Sequence, residues 1–140
     1  DTEINLAISL HAPSQKIRES IIPVSRTYSF DDLIESCRFY TRNSRRQLFF
    51  EYALIAGTND SPESARALSR LINSDRLFYL NLIPLNQVKD GLTPAGSDSL
   101  NKFCRILEDN HVNFSVRHSF GQSINSACGQ LIVDSAGISA

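Results

Sequence analysis

The sequence contains no methionine and no tryptophan, and only three of its 140 residues are cysteine. The chain starts at Asp1 and a strand-like run begins almost at once, so we expect it to be an excised piece of a longer protein. The cysteines, Cys37, Cys104 and Cys128, are odd in number and widely spaced, which excludes a disulfide framework or a CxxC metal knuckle. A reducing cytoplasmic location is therefore expected.

Other absences exclude further classes of protein. No apolar run approaches the roughly 20 residues that cross a membrane, so no membrane association is expected. The 14 basic and 15 acidic residues give a net charge of −1, which argues against RNA binding by this chain alone. Arg42, Arg45 and Arg46 follow a predicted helix, where the helix dipole favours cations. Neither GxGxxG nor GxxxxGK[ST] occurs, so no Rossmann cofactor or P-loop nucleotide is indicated.

Strand-like and helical patterns alternate along the chain. The predicted strands are Ile4–Ser9, Gln47–Ile55, Leu77–Ile83 and Val112–Arg117. Apolar residues at helical spacing predict three helices between them, with Ser29, Ser61 and Ser97 near their starts, and a short helical turn is expected at 15–20. Strands separated by helices run parallel through right-handed crossovers. Residues 1–140 are therefore predicted to form a single α/β domain.

The predicted strands have one apolar face and one partly polar face. Alternation assigns to the polar face Ser9, Glu51, Asn81 and Ser115, and to the face under the helices Ile8, Phe50, Leu82 and Val116. Parallel strands that helices cover on both sides are usually apolar on both faces. The polar face is therefore expected to be concave and to line the lumen of an open barrel built around a ligand. A bare sheet face, or one capped by another subunit, is the alternative.

The three cysteines differ in their surroundings. Cys37 and Cys104 fall on the apolar stripes of predicted helices, which predicts buried, unreactive thiols. Cys128 follows the last strand among small residues, where a thiol can be accessible and reactive. A zinc site is excluded because His111 and His118 flank the last strand at opposite ends, roughly 20 Å apart. A Cys128–His118 nucleophile pair is a weaker alternative.

Read in order, the segments of the chain resemble the RlmN/Cfr family of radical-SAM RNA methyltransferases. The matching segments are LAISLHAP (6–13), IP (22–23), RR (45–46), FEYAL (50–54), GTNDS (57–61), NLIPLN (81–86), VR (116–117) and ACGQL (127–131). Each segment alone is weak evidence, whereas their common order and spacing are specific. The resemblance implies the C-terminal half of an open, TIM-like radical-SAM barrel, together with the family's C-terminal cysteine segment.

The resemblance also implies a site. Four residues correspond to family positions that contact S-adenosylmethionine: Ser9, Leu10, His11 and Asn86. Cys128 corresponds to the cysteine that carries a methyl group taken from one S-adenosylmethionine. A radical formed from a second molecule at a [4Fe-4S] cluster then activates that methyl for addition to an adenine. The cluster ligands should precede this chain, so the resemblance implies no metal ligands here and no activity of the chain alone.

The implied partner is 23S rRNA, with tRNA as a further substrate left open, and the expected target is carbon 2 of adenine. Carbon 8, the Cfr-type target, is the alternative, because Phe120-Gly121 stands where the family usually has Arg-Gly. The isolated chain is expected to self-associate through its exposed barrel edge. Two alternative hypotheses are a non-catalytic α/β ligand-binding or interaction domain, and a self-contained thiol enzyme that uses Cys128.

Overall fold

The protein is described by a computed structural model that covers residues 5–22, 27–85 and 91–117. The elements in chain order are β1 (Leu6–Ser9), α1 (Gln15–Ile21), α2 (Phe30–Ser44), β2 (Leu48–Leu54), α3 (Pro62–Asn73), β3 (Phe78–Pro84), α4 (Ser97–Asp109) and β4 (Phe114–Val116). The four strands are parallel and follow the order β1-β2-β3-β4 in one sheet. This confirms the predicted α/β class. In the described ranges, no helix is both long and apolar enough to cross a membrane.

Helices α2 and α3 begin where the sequence provides a side-chain cap. The Ser29 hydroxyl accepts a hydrogen bond from the Asp32 N–H at 3.1 Å, and the Ser61 hydroxyl accepts one from the Ser64 N–H at 3.0 Å. Each bond satisfies an amide that has no partner inside its own helix, which stabilises the helix start. Helix α4 starts after Gly96, which makes no side-chain cap.

The main hydrophobic core lies between one face of the sheet and helices α2, α3 and α4. The sheet contributes Leu48, Phe50, Tyr52, Leu54, Phe78, Leu80 and Leu82, and the helices contribute Ile34, Cys37, Ala65, Leu68, Ile72, Phe103 and Leu107. Edge-to-face aromatic packing connects β2 to β3, where the Phe50 and Phe78 ring centroids are 4.9 Å apart. All three long helices therefore cover the same side of the sheet.

The opposite face of the sheet carries the predicted polar residues. Ser9, Glu51, Asn81 and Ser115 are register partners across all four strands, and they form what we call the polar row. This side of the sheet, away from α2–α4, is called the open face. The predicted apolar partners lie on the other side: Phe50 and Leu82 are buried in the main core, and Ile8 and Val116 pack against it. The predicted division of the two faces is confirmed.

The open face also has an apolar part that was not predicted. Ala53 and Ile55, near the carboxyl end of β2, form a second buried cluster with Ile21 and Ile22 of the α1 region. The short helix α1 therefore covers this face at the carboxyl ends of the strands and leaves the polar row partly exposed.

Leucines of the same sheet provide a matched test of this core. Leu80 is fully buried, whereas Leu6 is 37% exposed. Leu80→Ala should lower the free energy of unfolding by about 3 kcal/mol, because it removes buried apolar area and leaves a cavity. Leu6→Ala should cost less than about 1 kcal/mol. Urea denaturation followed by circular dichroism measures both values, and equal losses would contradict the described packing.

Candidate functional site

The segment Ser9-Leu10-His11 lies at the carboxyl end of β1, the edge where parallel α/β sheets bind ligands. Its three side chains point into different surroundings. Ser9 belongs to the polar row and is partly exposed, whereas Leu10 is fully buried in the main core. His11 is only 2% exposed. Of the three, only Ser9 therefore offers its side chain to a ligand on the open face.

The backbone of this segment is held in place from two sides. The N–H groups of Leu10 and His11 both donate to the Glu51 carbonyl, at 2.9 and 3.2 Å. The buried Arg18 guanidinium donates to the carbonyls of Ser9 and Leu10, each at 3.2 Å. These bonds occupy the carbonyl groups at the end of β1. The segment is therefore fixed before any ligand binds.

His11 uses its ring to join β1 to β2. The residue has a φ of 56°, and its Nδ1 accepts a hydrogen bond from the Ala53 N–H at 2.8 Å. Because Nδ1 accepts, the neutral ring carries its proton on Nε2. That Nε2 is a buried polar atom without a partner among the described residues. Burial, and secondarily the nearby Arg18 charge, lower the pKa of His11 from 6.5 to about 4.

Asn59 is a structural residue of this site that sequence reasoning quoted only as part of the GTNDS segment. Its side chain is fully buried and makes three hydrogen bonds. Oδ1 accepts from the Ile55 N–H at 2.7 Å, and Nδ2 donates to the carbonyls of His11 and Ala53 at 2.8 and 2.7 Å. The available signal was an asparagine in the loop between β2 and α3, because a buried amide must be hydrogen-bonded.

Two side-chain contacts link the strands along the polar row. The Arg117 guanidinium donates to Glu51 Oε2 at 3.2 Å, and the Ser115 hydroxyl donates to Asn81 Oδ1 at 3.0 Å. Strand β4 has only three residues. These two contacts therefore supplement the short β3–β4 ladder on the open face.

The described cysteines differ in burial. Cys37 is 2% exposed, and burial raises its pKa to about 11, although the Arg18 and Arg38 charges oppose the shift. The prediction of a buried thiol is confirmed for Cys37. Cys104 is only partly buried, because its position on α4 lies at the margin of the core, so the prediction was wrong in degree. Burial, and to a smaller extent Glu108, raise the pKa of Cys104.

Three predicted site residues lie outside the described residues: Asn86, His118 and Cys128. Their predicted roles therefore remain predictions.

The described residues fit the two implied cofactors differently. Across residues 5–22, 27–85 and 91–117, no group of three or more His, Cys, Asp or Glu side chains could hold a metal ion. These residues therefore do not fit an iron–sulfur cluster. S-adenosylmethionine is a polar ligand, and the partly exposed Ser9 hydroxyl is a hydrogen-bonding group that lacks a partner within the described part, whereas the unpaired His11 Nε2 is buried. In this respect the site suits that molecule.

Comparison with solved structures defines the class of the fold. A radical SAM methyltransferase from Sphaerobacter thermophilus superposes with a TM-score of 0.83 and 40% identity, over 91% of this chain and 38% of that one. A domain of pyruvate-formate lyase-activating enzyme from Bacteroides vulgatus has a TM-score of 0.65 at 15% identity, which shows the fold alone. The sheet and its helices thus have the architecture of radical-SAM proteins.

Sequence comparison narrows the class further. No protein-family model matches the chain. Two proteins called probable dual-specificity RNA methyltransferase RlmN, from Alkaliphilus oremlandii and Desulforudis audaxviator, are each 43% identical over 129 residues. The alignments cover 91% of this chain but only 37% and 40% of the relatives, so the chain spans less than half of their length. The predicted resemblance to the RlmN/Cfr family is confirmed.

The Asn59 network can be tested by truncation. Asn59→Ala removes three buried hydrogen bonds and leaves the Ile55 N–H and two carbonyls unsatisfied, so it should cost about 3 kcal/mol of unfolding free energy. The matched control is Asn43→Ala. Asn43 is exposed and makes one bond to the Phe39 carbonyl, so its loss should cost less than about 0.5 kcal/mol. Similar losses in urea denaturation would contradict the role of Asn59.

The buried His11 predicts a loss of stability in acid. Its folded pKa, about 4, is below the 6.5 of the unfolded chain, so the unfolded state takes up the proton first as pH falls. The contribution is complete above pH 6.5 and is lost as pH falls to 4, by about 3 kcal/mol in all.

A non-titrating replacement tests this expectation. His11→Asn tolerates the positive φ and keeps an acceptor near the Nδ1 position, so it should flatten the difference in unfolding free energy between pH 7 and 4.5. The control is His111→Asn, at an exposed residue that also has a φ of 56°. An unchanged pH dependence in His11→Asn would rule out the assignment.

Proposed function

We propose that the chain is a segment of a radical-SAM RNA methyltransferase that methylates carbon 2 of an adenine in 23S rRNA, and also acts on tRNA. The observation that carries the proposal is the match over 91% of the chain to proteins called dual-specificity RNA methyltransferases. The fixed Ser9–His11 segment at the ligand-binding edge of the sheet supports it. The whole protein is proposed to work in the cytoplasm.

The proposed ligand of the Ser9–His11 segment is S-adenosylmethionine, with Asn86 as a further contact. Ser9 supplies a free hydroxyl on the open face. Leu10 and His11 act as positioning residues, because the core and the Ala53 N–H hold their side chains. When bound, S-adenosylmethionine supplies a methyl group and, together with a [4Fe-4S] cluster held outside the described residues, radical chemistry.

Cys128 is proposed as the catalytic residue. Its thiolate would take the methyl group of S-adenosylmethionine: a sulfur–methyl bond would form on the cysteine as the methyl–sulfonium bond breaks, and S-adenosylhomocysteine would leave. The thiolate is the reactive form, so the thiol proton must leave first. The methyl-cysteine would supply its carbon to the adenine once the radical chemistry has removed a hydrogen atom from the methyl group. By contrast, the raised pKa values of Cys37 and Cys104 disfavour the thiolate at both helix positions.

The isolated chain is proposed to be inactive, because the described residues do not supply the cluster ligands. It should bind S-adenosylmethionine more weakly than about 1 mM, since the ligand's methionyl end then has no partner. Calorimetry that gives micromolar affinity would overturn this expectation. Self-association through the exposed barrel edge is also proposed for the isolated chain.

Brief alkylation of the folded chain tests the thiol assignment. Cys128 should react first, Cys104 more slowly and Cys37 slowest, following the burial of the two helix thiols. Mass spectrometry after proteolysis measures the three rates. Labelling of Cys104 with Cys128 untouched would argue against an accessible thiol at the proposed catalytic position.

The activity itself is tested in the full gene product. Reading the gene upstream of the Asp1 codon should reveal a CxxxCxxC motif. The encoded protein should transfer methyl groups from S-adenosylmethionine to carbon 2 of adenine in RNA, and Cys128→Ala should abolish the transfer while Cys104→Ala retains it. Nucleoside mass spectrometry distinguishes carbon 2 from carbon 8. Absence of the motif would favour the alternative of a non-catalytic α/β binding domain.

A further inference from the structure

The polar row carries hydrogen-bonding groups that the fold itself does not use. Glu51 lies on β2 and Asn81 on β3, and the two are direct register partners, so their side chains emerge on the open face about 5 Å apart. Glu51 Oε2 is occupied by Arg117, and Asn81 Oδ1 accepts from Ser115. In the part of the chain that the structure describes, Glu51 Oε1 and Asn81 Nδ2 have no partner.

The location of these two groups makes them available to a ligand. The Glu51 side chain is only 14% exposed, and Asn81 is partly buried. Polar groups that are largely removed from water but lack a protein partner gain more from a ligand than fully hydrated groups do. The Arg117 contact holds one carboxylate oxygen and so orients the other.

Apolar side chains flank the pair on both sides along the strands. Towards the amino ends, Phe49 and Tyr79 form an edge-to-face pair on the open face, with ring centroids 5.5 Å apart. Towards the carboxyl ends lie Ala53 and Ile83, which are almost fully buried. The ring of a ligand can therefore reach the partly exposed Phe49–Tyr79 pair but not the buried Ala53 and Ile83. An acceptor and a donor beside an aromatic pair suit a flat heteroaromatic ring whose polar edge faces the strands.

We propose that Glu51 and Asn81 bind an adenine ring. Glu51 Oε1 accepts a hydrogen bond from the exocyclic amine, and Asn81 Nδ2 donates to the neighbouring ring nitrogen. The amine donor of adenine lies beside a ring-nitrogen acceptor, and for this reason Asn and Gln side chains form paired hydrogen bonds with adenine in protein–DNA complexes. The inference deepens the proposed function and rests on it for the source of the ring, since adenine occurs both in S-adenosylmethionine and in the RNA target.

The same geometry disfavours other bases. Guanine and hypoxanthine place a carbonyl oxygen where adenine has its amine, so that an acceptor would face the Glu51 carboxylate, and their ring N–H would face the Asn81 donor. Cytosine has an amine beside a ring nitrogen, but its single ring covers less of the Phe49–Tyr79 pair. A site built on buried hydrogen bonds should reject the mismatched bases strongly.

Adenosine binding to the chain tests the proposal by nuclear magnetic resonance. Millimolar adenosine should shift the Asn81 side-chain amide and the Glu51 backbone amide, with a dissociation constant of about 1–10 mM. Inosine should leave these signals unchanged. Glu51→Gln should weaken adenosine binding about tenfold or more, because a charged acceptor becomes a neutral amide. Asn81→Asp should do the same by removing the donor without changing the size of the side chain.

The matched control is Glu63→Gln. Glu63 also pairs with an arginine, Arg66, but on the outer surface at 79% exposure, so its change should leave adenosine binding unaltered. Circular dichroism establishes that each variant is folded. Unchanged affinity in both Glu51→Gln and Asn81→Asp overturns the proposal, as does binding of inosine or cytidine equal to that of adenosine.

Competition identifies the source of the adenine. S-adenosylmethionine and a short RNA hairpin with one unpaired adenine are each added to the adenosine complex, and displacement by either supports the site and names its source. If neither competes, the proposal is overturned. If S-adenosylmethionine shifts Ser9 while adenosine leaves Asn81 unmoved, the inference fails and the proposed function stands. If the full gene product does not methylate RNA but adenosine binds as described, the proposed function fails and the adenine site at Glu51 and Asn81 stands.

Discussion

The buried amide of Asn59 connects the carboxyl ends of β1 and β2, and the geometry of the candidate site depends on that connection. Its Nδ2 bonds the carbonyls of His11 and Ala53, while Oδ1 takes the Ile55 N–H. His11 adds a second link through the Ala53 N–H. The β1–β2 ladder ends at Ser9 and Glu51, so these buried groups would otherwise be unsatisfied, at a cost of about 1–3 kcal/mol each. One side chain thus joins the two strands at the carboxyl edge of the sheet.

In this arrangement, the residues that fix the backbone at the end of β1 differ from those whose side chains face the open side of the sheet. Leu10 lies in the core, and the His11 ring is buried, neutral at pH 7 and bonded to β2. Arg18 occupies the carbonyls before them. The groups left for a ligand are side chains of the open face, whose alternation with the core follows from the two-residue period of a strand. A rigid edge with a few unused polar groups is the usual construction of a site that recognises a small molecule.

The chemistry of the open face changes along the strands. An aromatic pair, a polar row and an apolar cluster under α1 follow one another from the amino to the carboxyl ends. The Glu51–Arg117 pair crosses this face and ties the short strand β4 to β2. Because Arg117 is well exposed, the pair contributes little to stability, and its main effect is to orient the Glu51 carboxylate.

The sequence by itself determined the alternation of strands and helices, the side that each strand presents to the core, and the helix caps at Ser29 and Ser61. These follow from local periodicity and from capping chemistry, which a short segment contains in full. It also carried the family resemblance through ordered motifs. The partly exposed position of Cys104 was missed, because a helical stripe predicts which side is buried but not where the covering layer ends.

Only the tertiary structure decided which side chains meet. Asn59 and His11 are 48 residues apart, as the bond between them records, and no local pattern contains that contact. The pairing of Glu51 with Arg117 crosses an intervening strand over 66 residues. Such contacts depend on strand order and register, which long-range packing selects, so the sequence contains the residues of the candidate site, but not which of their side chains are buried and which face the open side of the sheet.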